Sequence, residues 1–402
     1  MNSLISRYRA WLLVPCLALT SLSLAGCWDR TEVNDLALVT AAGIDRAREN
    51  AVELTVQVFV PRAGGGSQLG QPGSAAGDER SVVRSAKGKT IAEAMAKLQE
   101  RFPRRIFWGH AEVFIIGEKV ARTGIREYVD FFLRFSQPRE HADIFVCKGE
   151  AKKVLELIPP LERHQAEVLR ELSESKVSLH VTLKDLAEML VGDAGDAALP
   201  YLTTLPPPVG KGQQHTIAYI AGTAVFRDDR MIGTLNQQKT RGLMWLRDEI
   251  KFSVVTLSPE EADGFISFYL LRSRTKWLPR IEGDRWSMTV EITTEDDVVE
   301  NTTSLDLLDP EVTRALEAEL EREIVRRIEL TLKQVQQEMK VDIVGFAEIF
   351  HRRYPREWRK VQDRWDEKFP EVEVRVEVDA KILRPGVSGS MITRPKDERR
   401  NR

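Results

Sequence analysis

The chain is poor in the residues that build disulfides and metal centres, and it lacks a long apolar run beyond its N-terminus. It has three cysteines in 402 residues. Cys16 falls in an N-terminal segment expected to be removed, and Cys27 sits at the border of that segment. Cys147 is then the one internal thiol, which excludes an intramolecular disulfide in the mature chain. Cys147 ends the apolar run Ile144-Phe145-Val146-Cys147, so a buried strand thiol is expected there, not a nucleophile. The six histidines are His110, His141, His164, His180, His215 and His351, and none forms a His-Glu-x-x-His pair or another helical metal-ligand spacing. No Gly-x-Ser-x-Gly elbow occurs. The sequence therefore assigns no catalytic residue, metal or cofactor. Lys and Arg total 59 against 61 Asp and Glu, a net charge of −2, so no global field attracts nucleic acid. Past residue 26 nothing is long and apolar enough to span a bilayer.

What is present starts at the N-terminus. Arg7 and Arg9 precede an apolar run from Trp11 to Leu24, interrupted by Pro15, and the run ends in Leu24-Ala25-Gly26-Cys27. A basic head, an apolar middle and a small-residue exit make a secretory signal. The run is shorter than the roughly 18–20 residues of a spanning helix. The Leu-Ala-Gly-Cys ending is a lipobox. Its small residues admit the backbone to a peptidase cleft, and the thiol takes a diacylglyceryl group as a thioether. Cleavage between Gly26 and Cys27 is expected, leaving Cys27 as an N-acylated, lipid-bearing first residue. Each buried acyl methylene contributes about 0.8 kcal/mol, so such an anchor holds a folded extracytoplasmic body at the bilayer.

The rest reads as an α+β, multidomain chain, a mixed α/β N-terminal region followed by an antiparallel sheet packed against a long C-terminal helix. The expected boundaries are a signal peptide at 1–26, an N-terminal domain at 27–205, a linker at 206–216, a C-terminal domain at 217–385 and a polar tail at 386–402. Strands are expected at 36–44 and 51–60, with a turn from Gly43 to Asn50, and at 80–86, 106–117 and 141–147. Helices are expected at 91–101, 118–135, 161–172 and 182–191. Residues 61–79 are rich in Gly, Ser, Pro and Ala and are expected to form a loop. Residues 192–216 hold three consecutive prolines and four glycines and break the pattern. A hairpin at 217–235 and strands at 250–257, 265–276, 285–295 and 371–383 follow. Val312, Leu316, Leu320, Ile324, Ile328, Leu332, Val335 and Met339 form one helical stripe, behind an Asp309 N-cap and Pro310, with Glu317, Glu319, Glu321 and Arg322 expected to face away. Further helices are expected at 342–350 and 358–365.

Lys87-Gly88-Lys89-Thr90 stands between a strand and a helix, as in a phosphate-binding loop. The position that needs a second glycine holds Val83, so the motif fails. Trp28 suits either lipid headgroups or a core, whereas Trp108 and Trp358 are expected in the core.

Several stretches together resemble one family. They are Cys27-Trp28-Asp29-Arg30 with Glu32 and Asn34-Asp35-Leu36, Gly88-Lys89-Thr90, and Gly109-His110-Ala111-Glu112. Later come Gly222-Thr223-Ala224-Val225-Phe226, Gly233-Thr234-Leu235 and Thr240-Arg241-Gly242-Leu243. The last are Asp342-Ile343-Val344-Gly345-Phe346, His351-Arg352-Arg353-Tyr354-Pro355, Trp358, Trp365, Phe369 and Pro370. The sequence resembles the Ger(x)C family, the lipoprotein subunit of bacterial spore nutrient germination receptors. The resemblance implies a lipoprotein on the outer face of the inner spore membrane. It also implies assembly with integral-membrane A and B type receptor subunits, and no enzyme activity. The alternative from another class is a lipid-anchored solute-binding protein of a transporter, which has two similar lobes around a cleft.

Overall fold

A computed structural model describes residues 35–48, 51–59 and 81–384. Gly26, Cys27, Trp28, the 61–79 segment and the tail lie outside the described residues.

Among these residues the chain builds two sheets. The first has nine strands. In chain order its elements begin with β1 (Leu36–Arg46), β2 (Val52–Phe59), β3 (Ser81–Gly88), α1 (Ile91–Gln99), β4 (Arg105–Phe107) and β5 (Val113–Gly117). Then come α2 (Glu118–Thr123), α3 (Arg126–Arg134), β6 (Asp143–Cys147), α4 (Ala151–Leu155), α5 (Gln165–Glu174) and α6 (Leu183–Val191). The sheet closes with β7 (Ala197–Thr204), β8 (Ala218–Arg227) and β9 (Arg230–Asn236). The strand order is β3-β2-β1-β5-β6-β7-β8-β9, with the short β4 also on β1. β1, β5, β6 and β7 run parallel, and the outer strands on both sides are antiparallel.

The parallel centre explains the unbroken apolar runs. Every residue of β5 and β6 is buried, because helices cover both faces. α4 and α5 pack on one face against Val113, Ile115, Phe145 and Cys147, whereas α1, α2, α3 and α6 share the core of the other. The register of β1 slips between Val39 and Ala41. That bulge lets Ala37 and Val39, then Ala42 and Ile44, point into the same core despite the odd spacing.

Several boundaries differ from those expected. Gly43 is not a turn residue but lies inside β1, where a Cβ would stand 2.9 Å from Cβ of Ala151, so glycine lets α4 approach. The strand expected over 106–117 is two, split by a turn in which Ala111 N–H donates to Trp108 O. The helix expected over 118–135 is also two, broken at Gly124, whose φ is +129°. Residues 192–216 contain β7, which is buried along most of its length and pairs with both β6 and β8. The proline-rich stretch at 206–208 therefore joins two hydrogen-bonded neighbours, and the 218–236 hairpin extends the first sheet.

From β9 the chain passes through α7 (Gln237–Leu246) into the second sheet. That sheet has four strands in the order β10-β11-β12-β13. They are β10 (Val254–Leu257), β11 (Ile266–Glu282), β12 (Arg285–Asn301) and β13 (Glu373–Arg384). β11 and β12 form a long hairpin around Gly283 and Asp284, and Pro279 lies within β11, opposite Met288. Three strands are antiparallel as expected, but β13 joins β12 in parallel. The parallel pairing requires a crossover, and α8 (Pro310–Leu332) supplies it. Asp309 Oδ1 accepts the N–H of Glu311 and starts this helix. Leu316, Leu320, Ile324 and Ile328 are buried on it, each worth roughly 1.5–3 kcal/mol relative to exposure. A π-helical turn at Lys333–Met339 continues it, ending at Lys340 in the left-handed region. Three short helices follow, α9 (Phe346–Arg353), α10 (Pro355–Trp358) and α11 (Trp365–Lys368). The helix expected at 358–365 is replaced by the end of α10, a 3-10 turn and the start of α11.

Candidate functional site

The residues singled out from the sequence gather in two places. The first is the junction where the two sheets meet. Asp342 is its centre and is 3% exposed. Its Oδ1 accepts from Gly345 N at 2.9 Å and Phe346 N at 3.1 Å. Its Oδ2 accepts from Ala347 N at 2.7 Å and from the indole Nε1 of Trp365 at 3.0 Å. The carboxylate thus caps α9 and ties it to α11. Burial pushes its pKa up, while the four hydrogen bonds favour the charged form. Around it lie Phe346, Phe350, Trp365, Phe369 and Trp286, with Trp286 and Phe350 ring centres 4.8 Å apart.

The first sheet reaches this knot through polar contacts. Asp196, just before β7, accepts the backbone N–H of Asp342 at 2.7 Å and that of Asp228 at 3.4 Å. Burial, with Asp342 and Asp228 close by, pushes the Asp196 carboxyl up to about 7. Arg227 Nη2 donates to Met339 O at 2.6 Å. His351 Nδ1 lies 2.8 Å from Asp193 Oδ2, and its ring stacks on Trp358. Arg247 Nη1 donates to Ile343 O at 3.3 Å.

The glycine-containing stretches meet beside the junction for steric reasons. A Cβ on Gly242 would stand 2.2 Å from Thr331 Oγ1, so glycine lets α7 lie against α8. Thr331 Oγ1 donates to Lys239 O at 2.9 Å across the same contact. Thr223 and Thr240 share a buried hydrogen bond of 2.8 Å between β8 and α7. These residues pack, and none faces a reacting centre.

The second place is a cleft of about 280 Å³ on the first sheet. Leu38, Thr40 and Phe59 form one wall, His110 and Glu112 a second, and Arg163, His164, Glu167 and Arg170 the third. Glu112 bridges strands through its backbone: its N–H donates to Thr40 O, and its carbonyl accepts from Asp143 N. His164 Nδ1 accepts Glu167 N and caps α5, and burial pulls its pKa down. Arg170 reaches Glu112 at 3.6 Å and also pairs with Glu171 and Glu174. The cleft is polar, and opposite charges face each other across it. A third hollow of about 540 Å³ lies between α6 and Arg247–Lys251, with His180 bonded to Asp143 at 2.9 Å on its rim.

Other expectations resolve simply. Cys147 is fully buried, and burial pushes its thiol well up. Gly88 and Thr90 belong to a helix start: Thr90 Oγ1 accepts Glu93 N at 3.2 Å, and a Cβ on Gly88 would meet Ala94 N at 2.5 Å. Trp108 and Trp358 are core residues at 3% and 1% exposure. Among the described residues no group of three or more His, Cys, Asp or Glu could hold a metal ion. No helix among them is long and apolar enough to cross a membrane.

The sequence reading missed the buried carboxylates, because it placed acidic residues on exposed helix faces. Asp45 is 5% exposed and accepts Ala151 N and Lys152 N, capping α4. Glu317 and Glu321 do not face away: they accept the outward N–H groups of Ile382 and Ala380 on the edge strand β13. An aspartate three to five residues before an apolar helix was the available signal for Asp342.

The two-sheet α+β fold matches that of a solved protein. The crystal structure titled as the GerBC protein aligns with a TM-score of 0.56 at 18% identity, over 85% of this chain and 96% of that one. Residues 29–204 match the family described as spore germination protein N-terminal domain, and residues 221–386 match spore germination B3/GerAC like, C-terminal. Putative spore germination protein YfkR of Bacillus subtilis is 31% identical, over 93% of this chain and 95% of that protein. Spore germination protein KC of the same organism is 27% identical, over 96% and 98%. The chain belongs to the Ger(x)C family of spore germination proteins.

Proposed function

We propose that this protein is the lipid-anchored subunit of a spore nutrient germinant receptor. Signal cleavage after Gly26 and diacylation of Cys27 hold it on the outer face of the inner spore membrane. There it assembles with integral-membrane A and B type subunits and acts by binding, not by catalysis. The observation that carries this reading is the family membership of the two regions 29–204 and 221–386, directly behind a lipobox. The family regions part at 205–220, around the stretch 206–216, whereas the two sheets part only after β9, because the 218–236 hairpin belongs to the first sheet. The solute-binding alternative calls for two similar lobes, and a nine-stranded and a four-stranded sheet are unlike.

The test is germination of spores lacking this gene, read as dipicolinate release across a panel of amino acids and sugars. Loss of the response to one nutrient class, restored by the wild-type gene and poorly by Cys27→Ala, is expected. A full response to every nutrient after the paralogues are also deleted would sink the proposal.

A further inference from the structure

The core face of the second sheet turns polar at one end. Along β12, Trp286, Met288, Val290 and Ile292 point inward in strict alternation. The next two inward positions are Thr294 and Asp296, 2% and 1% exposed. Thr294 lies between Ser273 on β11 and Ala380 on β13, and Asp296 lies between Leu270 and Ile382. The register of β11 shifts between Leu270 and Arg272, which keeps Leu270 and Ser273 on one face despite their odd spacing. Ser273, Thr294 and Ala380 thus make one row of short side chains, next to the larger row of Thr275, Ile292 and Val378. Glu317 and Glu321 of α8 accept the amides of Ile382 and Ala380, so the helix crosses the sheet at these rows.

Three oxygens here, Ser273 Oγ, Thr294 Oγ1 and Asp296 Oδ2, are buried without a hydrogen-bond partner among the described residues. Polar atoms taken out of water cost stability unless something meets them. The carboxylate is the harder case. The cations on the flanking strands are exposed and paired elsewhere: Arg272 lies 3.6 Å from Glu295, Arg384 3.7 Å from Asp297, and Lys381 3.2 Å from Asp379. Burial pushes the Asp296 carboxyl up to about 6, the Thr294 hydroxyl beside it favours the charged form, and the charge on Asp297 raises it again. A water molecule can bond to these oxygens but brings no charge. One carboxylate and two hydroxyls, with no nitrogen or sulfur, suit a hard cation. A single carboxylate balances a monovalent ion, whereas calcium sites take several carboxylates.

We propose that Ser273, Thr294 and Asp296 bind a partly dehydrated monovalent cation, sodium or potassium, in the core of the second sheet beneath α8, where it ties β11 to β12. The inference is independent of the lipid anchor. The test is thermal unfolding of the full chain in detergent, in potassium, sodium or choline chloride at equal ionic strength, so that screening is the same in all three. The midpoint is expected to be several degrees higher in potassium or sodium than in choline, and to rise with ion concentration until it saturates. Asp296→Asn should remove the difference between the salts, and Thr294→Val should reduce it. Sodium-23 relaxation reads the ion directly, with more broadening by the wild-type protein than by either variant. Where Asp296→Asn does not fold, Thr294→Val carries both comparisons. Equal midpoints in the three salts would leave water on these oxygens and overturn the proposal. A salt dependence that Asp296→Asn retains in full would place the ion elsewhere and overturn it too, as would saturation by calcium with no response to sodium or potassium.

Discussion

Asp196 accepts the backbone N–H of Asp342 at 2.7 Å, so one carboxylate from the first sheet holds the segment that organises the end of the second. Two aspartates placed together in a half-dry junction make the contact sensitive to charge. Burial pushes Asp196 up to about 7 from an ordinary value of 3.8. Between those two values the folded protein binds more protons at this site than the unfolded chain does. The site's contribution is therefore fully present below about pH 4 and is lost as pH rises through 7.

Asp196→Asn removes that titration and retains a side-chain acceptor. Its stability relative to wild type should improve between pH 5 and pH 8, by roughly 1–3 kcal/mol once partial exposure is allowed for. Urea midpoints of both proteins at the two pH values measure it. A difference that is the same at both, or of opposite sign, would show that the carboxyl is ionised throughout.

Asp342 makes a harsher prediction. Replacing it with Ala leaves three backbone donors and one indole donor without their acceptor in a buried site. The expected cost is about 3–5 kcal/mol. Asp342→Asn keeps one oxygen and should cost less. Loss of near-ultraviolet circular dichroism from the Trp286, Trp358 and Trp365 cluster should accompany the alanine change. A cost below about 1 kcal/mol would mean that water replaces the carboxylate freely.

Much of this architecture was legible, and the failures have physical causes. The α8 stripe could be read because period 3.6 with an Asp-Pro start has few other readings. The alternation of β2 could be read, although Thr55 and Gln57 on its second face are buried as well. The splits at Gly124 and at residues 108–112 were not legible, because apolar residues continue across them and only a backbone angle or a turn bond breaks the element. β7 was hidden by the prolines and glycines around it. The reversal of Glu317 and Glu321 was also hidden: a charge pattern shows which side of a helix is polar, but not whether a strand edge lies there. The buried knot around Asp342 was visible only as a family-like stretch, since its partners Asp196 and Trp365 are far away in sequence.

The edge strand gives a residue-level test. β13 borders the second sheet, and unpaired N–H groups on such an edge invite pairing with another chain. Glu317 and Glu321 cover two of them at 3.0 Å each. Glu317→Ala with Glu321→Ala should cost roughly 1–2 kcal/mol in total. Hydrogen exchange should accelerate at the amides of Ala380 and Ile382, and much less at β12 behind them. Unchanged exchange at those two amides would mean that the carboxylates contribute nothing to holding the edge.

The contact between α7 and α8 should be the least tolerant of added volume. Gly242 has an ordinary helical place, and the favourable helix propensity of Ala would by itself add about 1 kcal/mol of stability. Against this, the new methyl would sit 2.2 Å from Thr331 Oγ1 and 2.8 Å from Arg327 O. The second of these is backbone and cannot rotate away, so the helices must separate. Overpacking of this kind costs about 1–3 kcal/mol, and the loss of the Thr331 bond to Lys239 O adds to it. Gly242→Ala should therefore be net destabilising despite the helix preference, with a lowered urea midpoint and an unchanged slope. Combining it with Thr331→Ala relieves only the side-chain half of the clash, so recovery should be partial. Full recovery would place the whole strain in the hydroxyl.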